Sequence, residues 1–360
     1  MKIVFLTNGN HPDTLGGIQT FNRQLKKMFS DELITITKKN SKKHIYKTND
    51  VFEIGKKNIL YKIIDKLLKS TLTDYFISKK IKEISPDICI LSSPQEIKLI
   101  KNEKIKIILV QHTEIKNWIK SKNYCASDKK LMNLIKEKVD YFIVLSSKDK
   151  DLIHRILDFP NEKIDVINFS SEIEKLEEIK EKNNNLVMIG RLDNKVKRFD
   201  LIIKAMKKIP SLNLKIVGNG KDKKILEKIL KYENLNNVFL VGESNNIKKY
   251  LDEAKILVIA SEYEGYPLVA IEAIKRRVPI IMRNTFNAAE DIIIENKNGI
   301  LLDKEWNEAE FIDSVYKIIR NYDYYVKNTL CLERKYEFNE IKKNWNELFE
   351  KLLKDKVEID

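Results

Sequence analysis

Residues 255–276 read KILVIASEYEGYPLVAIEAIKR. Lys255 to Ala260 is a short, largely aliphatic and β-branched run, the pattern of a parallel strand buried on both faces. SEYEG supplies a loop, and Pro267, with its fixed φ, suits the first position of a helix running LVAIEAIKR. Strand, short loop and helix in that order make the repeating unit of an α/β fold with a parallel sheet. One residue breaks the pattern. Glu272 stands among Leu268, Val269, Ala270, Ile271, Ala273 and Ile274, and a carboxylate on so apolar a segment is costly unless hydrogen-bond donors reach it. A neighbouring arginine or backbone amide would serve, and so would a ligand. Glu264, eight residues earlier, lies in the loop, and the start of the helix leaves amide N–H groups free for an anion. Such a site suits a hydroxyl-rich, negatively charged molecule.

The same unit repeats on either side of this stretch. NLVMIG (185–190), LNLKIVG (212–218), NVFLVG (237–242), VPIIM (278–282) and GILL (299–302) read as further strands, with helical patterns such as KRFDLIIKAMKKI and NNIKKYLDEA interleaved. Upstream, KIVFLT (2–7), LITIT (33–37), DICILSS (87–93), IKIILVQ (105–111), DYFIVLS (140–146) and KIDVINF (163–169) form a second set. Residues 58–84 carry apolar positions at helical spacing with lysines between them, either a core-facing helix with a solvated face or a helix lying on an anionic membrane. Residues 171–184 are strongly polar and poor in apolar side chains, which marks a linker. The expected organisation is a Rossmann-like domain over 1–170, the linker, a second Rossmann-like domain over 185–335, and an amphipathic helix over 336–360 that packs back on the first domain. Two doubly wound parallel-sheet domains facing each other across a ligand cleft are the economical architecture.

Bulk composition narrows the function classes. The 360 residues suit two domains, and 43% hydrophobic with 33% charged residues describes a globular protein without a disordered tail. The longest apolar runs are strand-length, too short to cross a bilayer. MKIVFLT at the start lacks a signal peptide's cleavage site, so a cytoplasmic location is expected. Cys89, Cys125 and Cys331 are scattered and odd in number, which fits reduced thiols rather than a metal cluster. The net charge of +14 is uneven, since residues 1–120 hold 23 Lys/Arg against 12 Asp/Glu. A basic N-terminal domain suits an anionic membrane surface or a phosphorylated acceptor, with a plain solvated lysine face as the alternative. No aromatic stacking motif or binding module accompanies the charge, so nucleic acid is not an expected partner.

Candidate ligand-binding residues cluster where open α/β sheets hold their ligands, at the carboxyl ends of strands. In the N-terminal half, Gly16 and Gly17 precede the helical pattern IQTFNRQLKKMF, and His112 follows the strand IKIILVQ. Asp149-Lys150-Asp151 spells D-x-D, but at a helix start such acids serve the dipole, and metal binding is not expected. In the C-terminal half, Arg191 follows NLVMIG and Lys197 stands at the next helix. Arginine offers a bidentate fork and lysine a point charge, a usual pair for a diphosphate. With the helix N-terminus after Gly265, they would neutralise a leaving phosphate without a metal.

GRLDNKVKRFDLIIKA, LKIVGNGKD, VFLVG and ASEYEGYPLVAIEA, in this order and spacing, resemble the retaining nucleotide-sugar glycosyltransferases of family 4, which have the GT-B fold. Glu264 and Glu272 fall on that family's E-x7-E motif, and the likeness covers most of residues 185–302. The resemblance implies that Glu272 takes the ribose hydroxyls of the nucleotide and Glu264 the hydroxyls of the donor sugar. Arg191, Lys197 and the amides near Gly265, Tyr266, Pro267, Leu268 and Val269 would hold the diphosphate, approached by Gly17 from the other domain. His112 would lie beside the transferred sugar, and the base near Gly218, Gly242 and Ile247. The implied reaction moves a hexose or N-acetylhexosamine from a UDP-sugar to a glycan or lipid-linked acceptor in surface-polymer assembly, with retention and with no cofactor or metal. The implied setting is the cytoplasmic face of the membrane.

Three departures stand out. Arg198 follows Lys197 where many members have glycine, FNAAEDI (286–292) replaces a Gly/Pro-rich turn, and VINFS (166–170) lacks the usual proline. The competing readings are a nucleotide-sugar epimerase or hydrolase on a similar fold, and a basic nucleic-acid-binding protein.

Overall fold

The structure, a computed structural model, describes residues 1–7, 11–12, 16–38, 50–54, 67, 71–122, 124–178 and 182–357. The chain divides into two compact units, one of Met1–Phe169 with Lys342–Asp360 and one of Ser170–Ile341.

Unit 1 is built on seven strands: β1 (Ile3–Thr7), β2 (Leu33–Thr37), β3 (Val51–Glu53), β4 (Ile88–Leu91), β5 (Lys106–Val110), β6 (Tyr141–Val144) and β7 (Ile164–Val166). Every pairing is parallel and the order is β3-β2-β1-β4-β5-β6-β7. The direction of winding therefore reverses between β1 and β4, the position where such sheets open a crevice for ligands. β1 and β4 are wholly buried, which explains their unbroken apolar sequence. The sequence reading does not contain β3, because three half-buried residues on an edge give no run of apolar positions.

The glycine pair leads into the helix Gly17–Met28, whose Phe21, Leu25 and Met28 are buried. Of the helix expected over 58–84, the segment Thr71–Ile84 is helical, while 58–66 and 68–70 lie outside the described residues. At the start of the helix Ser147–Leu157, Ser146 caps the helix, its Oγ accepting from the Asp149 amide and donating to Asp149 Oδ2 at 2.9 Å, so the first acid of the D-x-D is engaged by the cap. The C-terminal helix Phe338–Val357 sets Trp345 and Phe349 on the first helix of unit 1. Trp345 lies 6.0 Å from Phe21 and Phe349 lies 5.1 Å from Phe29, ring centre to ring centre.

Unit 2 holds β8 (Asn185–Ile189), β9 (Asn213–Val217), β10 (Val238–Gly242), β11 (Ile256–Ile259), β12 (Ile280–Arg283) and β13 (Gly299–Leu302). They too are all parallel, in the order β10-β9-β8-β11-β12-β13, with the reversal between β8 and β11. Residues 255–276 thus contain β11 and the helix Leu268–Lys275 beside the reversal point. Pro267 sits at the cap, one residue before the first helical position.

The polar stretch 170–184 has no helix or strand in its described residues. Hydrogen bonds hold it to unit 2. Arg276 and Arg277 donate to Glu174 O at 2.9 Å and Leu176 O at 2.8 Å, and the buried Lys182 donates to Leu251 O and Arg276 O. Among the described residues, no helix is long and apolar enough to cross a membrane.

Candidate nucleotide-sugar site

The carboxyl ends of β8, β9 and β10 are stitched together by backbone. Gly190 N donates to Val217 O at 3.0 Å, Leu192 N to Asn219 O at 2.9 Å, and Gly218 N to Gly242 O at 2.7 Å. Gly218 is required here. Its φ of 149° lies outside the range side chains favour, and a Cβ would stand 1.9 Å from Gly190 O. These contacts leave Arg191 exposed on the loop after β8 and lead into the short helix Asn194–Lys197. From its last residue, Lys197 Nζ reaches Glu264 Oε1, which also accepts from Ser261 Oγ at 2.7 Å. Lys197, Ser261, Glu264 and Val269 line one recess with Ile189 and Ile259 at the reversal point.

The helix Leu268–Lys275 begins with no side-chain cap and no acidic residue in its first turn. Its leading amides are groups an anion can occupy. Tyr266, just before it, is turned inward and bonds hydroxyl to hydroxyl with Tyr336 at 2.6 Å.

Glu272 follows one turn in. Its neighbours Ile271 and Ala273 are fully buried, and among the described residues its carboxylate has neither a hydrogen bond nor an ion pair. A structural role satisfied by arginine or amide is therefore not what the fold provides. Burial pushes the Glu272 carboxyl up to about 7, the nearby Glu172 adds to the rise, and Lys275 opposes it. Lys275 itself donates to Ser171 O at 3.1 Å. Glu272 does not line the Lys197 recess, whereas Val269 on the same helix does. Gly242 ends β10, and Ile247 opens the helix Ile247–Glu253 a short loop later.

Gly16, Gly17 and His112 belong to unit 1. Gly16, at φ 146°, precedes the helix Gly17–Met28, and Gly17 has open space where a side chain would stand. His112 packs edge-on to Phe21 of that helix at 5.1 Å and stacks on Phe169 at 6.2 Å. Its Nε2 is buried without a partner among the described residues, and burial drives the imidazole down to about 3, so the ring is neutral.

The loop SEYEG contains a group the sequence reading passed over. Glu262 accepts Arg198 Nη1 at 2.5 Å and Arg283 Nη1 at 3.0 Å. Burial alone would raise its carboxyl, but hydrogen bonds from Arg283 and Arg198 outweigh that and hold it below the usual carboxylate range. Arg283 is 4% exposed and also donates to Ala260 O and Lys304 O. A charge closing the apolar strand VPIIMR is as out of place as Glu272, and that anomaly could have exposed it. Among the described residues, no three His, Cys, Asp or Glu side chains gather as a metal site.

An ammonium, an exposed guanidinium and free helix amides can receive a diphosphate, while the unpartnered Glu272 carboxylate can accept hydroxyl hydrogens. Residues 169–329 match the family model described as Glycosyl transferases group 1. An uncharacterized glycosyltransferase of Haemophilus influenzae is 26% identical over 290 residues, 77% of this chain and 80% of its own length. The poly(ribitol-phosphate) alpha-N-acetylglucosaminyltransferase of Staphylococcus aureus is 27% identical over 76% of this chain and 57% of its own. An alpha-1,4-N-acetyl-D-galactosaminyltransferase of Campylobacter jejuni, named for a PP-undecaprenol-linked glycan, is 30% identical over 58% of this chain and 59% of its own. The chain thus spans less than two thirds of the length of the last two.

Among solved structures, sucrose-phosphate synthase from Thermosynechococcus elongatus superposes with a TM-score of 0.81 at 16% identity, over 98% of this chain and 99% of that one. A TarM variant from S. aureus, in complex with Fondaparinux, alpha-GlcNAc-glycerol and UDP, superposes with a TM-score of 0.75 at 18% identity, over 97% and 100%. The chain has the GT-B fold, is similar to glycosyltransferases, and over residues 169–329 matches the glycosyl transferases group 1 model.

Proposed function

We propose that the chain is a retaining, family 4 glycosyltransferase that moves a hexose or N-acetylhexosamine from a UDP-sugar to a glycan or lipid-linked acceptor during surface-polymer assembly. The observation that carries the donor half is Glu272, a carboxylate held on an apolar helix with no protein partner among the described residues. Ribose hydroxyls are the donors it lacks. Lys197, Arg191 and the uncapped amides ahead of Val269 take the diphosphate, and Glu264 exchanges its lysine for sugar hydroxyls. In the transfer step the bond from the anomeric carbon to the UDP oxygen breaks, and the acceptor oxygen bonds to that carbon on the same face. The acceptor proton passes to the departing phosphate. The cationic groups and helix amides stabilise the charge that develops there, so the reaction requires neither metal nor cofactor.

UDP as the nucleotide is supported by the UDP in the TarM structure. Acceptor chemistry is supported by the polymer and undecaprenol acceptors named for the relatives. From the end of β5 into the first turn of the helix Lys129–Lys138, Lys116, Lys120, Lys122, Lys129 and Lys130 are exposed, and none forms an ion pair among the described residues. They follow His112 on the carboxyl side of the sheet and suit a phosphate-bearing acceptor at the cytoplasmic membrane face. Titration of the protein with UDP, and of Glu272→Ala beside it, tests the donor site. We expect saturable UDP binding that the variant loses by about tenfold or more while remaining folded. Absence of UDP binding by the unaltered protein would remove the proposal, and proton NMR of the glycoside product would show whether the anomer is retained.

A further inference from the structure

Two adjacent residues bridge to the same loop. Lys197 pairs with Glu264, and Arg198 pairs with Glu262. The second bridge is the better anchored. Arg198 stands in the left-handed region at φ 51°, ψ 45°, a conformation glycine takes freely and arginine does not. Its guanidinium is held there by Asp200, through Nε at 3.1 Å and Nη2 at 3.3 Å, and by Glu262. Glu262 in turn is fixed from the other side by Arg283, which is locked to Ala260 O at 3.0 Å and Lys304 O at 2.6 Å. The backbone adds a further tie, Glu262 N to Val196 O at 2.7 Å.

The first bridge has a different character. Lys197 and Glu264 offset each other's charge, so an incoming diphosphate and the Glu264 carboxylate compete for the same ammonium. An ammonium cannot give the same hydrogen to a carboxylate and to a phosphate. Parting them removes one of the links between the loops 194–198 and 261–265. The geometry points to Arg198 as a positioning residue for the donor site: the Arg198–Glu262–Arg283 chain is a standing tether that keeps the two loops in register while the Lys197–Glu264 pair opens to admit the nucleotide sugar. This rests on the function proposed above. It also accounts for a charged side chain at a position where a glycine would meet no strain, because the guanidinium supplies the tether.

Arg198→Gly separates the two effects, since glycine accepts φ 51° without strain while deleting the guanidinium. Steady-state kinetics with the UDP-sugar the unaltered protein uses, and thermal unfolding, are the measurements. We expect Arg198→Gly to raise the donor KM about tenfold with kcat within about threefold and Tm unchanged. Arg198→Lys, which keeps the charge but not the fork, falls between. Glu262→Gln reproduces Arg198→Gly, and the double variant is no worse than the worse single one, because both cut the same tether. A donor KM for Arg198→Gly within about twofold of the unaltered protein would overturn the tether. So would Arg198→Gly and Glu262→Gln effects that multiply in the double variant. If the unaltered protein neither binds UDP nor turns over a nucleotide sugar, the functional reading and the tether fall together. Normal kinetics in it beside an unaffected Arg198→Gly overturns the tether alone.

Discussion

The hydroxyls of Tyr266 and Tyr336 meet at 2.6 Å, one ahead of the helix Leu268–Lys275 and the other ahead of the C-terminal helix. With 6% and 0% of their surfaces exposed, each phenol depends on the other for its hydrogen bond. Burial raises both phenols, so the pair stays neutral. Tyr336→Phe strands the Tyr266 hydroxyl in the interior and is expected to cost about 1–3 kcal/mol. The double Phe variant leaves nothing stranded and should cost less than the two single changes summed. Urea unfolding of the three variants measures both quantities.

Glu272 gives a pH dependence of definite sign. Its carboxyl titrates at about 7 in the fold against an ordinary 4.5. The unfolded chain therefore releases this proton first, and ionisation of Glu272 works against the fold as pH rises through that window. Glu272→Gln should raise Tm at pH 8 by a few degrees and leave it unchanged below about pH 3, where the carboxyl is protonated in both states. UDP affinity should move the other way. It should strengthen as pH rises past about 7, because ribose hydroxyls donate to the ionised form, and Glu272→Gln should flatten that profile. Calorimetric titrations at pH 6 and pH 8 would show it, and equal affinities at the two values would count against a ribose contact.

Lys116 and Lys120 lie one helical turn apart on the helix Ile115–Lys120, both exposed. Lys116→Glu with Lys120→Glu should raise the KM for a phosphate-bearing acceptor about tenfold or more and leave UDP affinity unchanged. Added salt should raise KM for the unaltered protein and scarcely affect the variant. An acceptor KM insensitive to both charge and salt would show that the acceptor is not recognised as an anion.

The parallel strands were legible because burial on both faces leaves an unbroken apolar run, as in IVFLT of β1 and ILVI of β11. β3 was not legible, since a half-buried edge strand of three residues has no such run. Glu272 announced itself as a charge on an apolar helix, and it remains without a protein partner among the described residues. Arg198 showed in the sequence only as a departure from the glycine many family members have there, whereas in the fold its guanidinium is engaged by Asp200 and Glu262. That outcome depends on partners up to 64 residues away, which a local pattern does not contain. The polar stretch 171–184 reads as a linker because Lys275, Arg276 and Arg277 fasten its backbone carbonyls at Ser171, Glu174 and Leu176, work that a polar sequence can do.

The glycine contact between the loops after β8 and β9 also limits how this protein can be re-engineered. A carbonyl fills the space where any side chain at position 218 would start, and a Cβ at position 220 would stand 2.5 Å from Leu192 O. Neither loop can be exchanged alone for a relative's longer or bulkier version without displacing the other. Chimeras meant to change donor preference should therefore carry residues 190–198 and 218–222 as one cassette, and libraries should hold positions 218 and 220 as glycine.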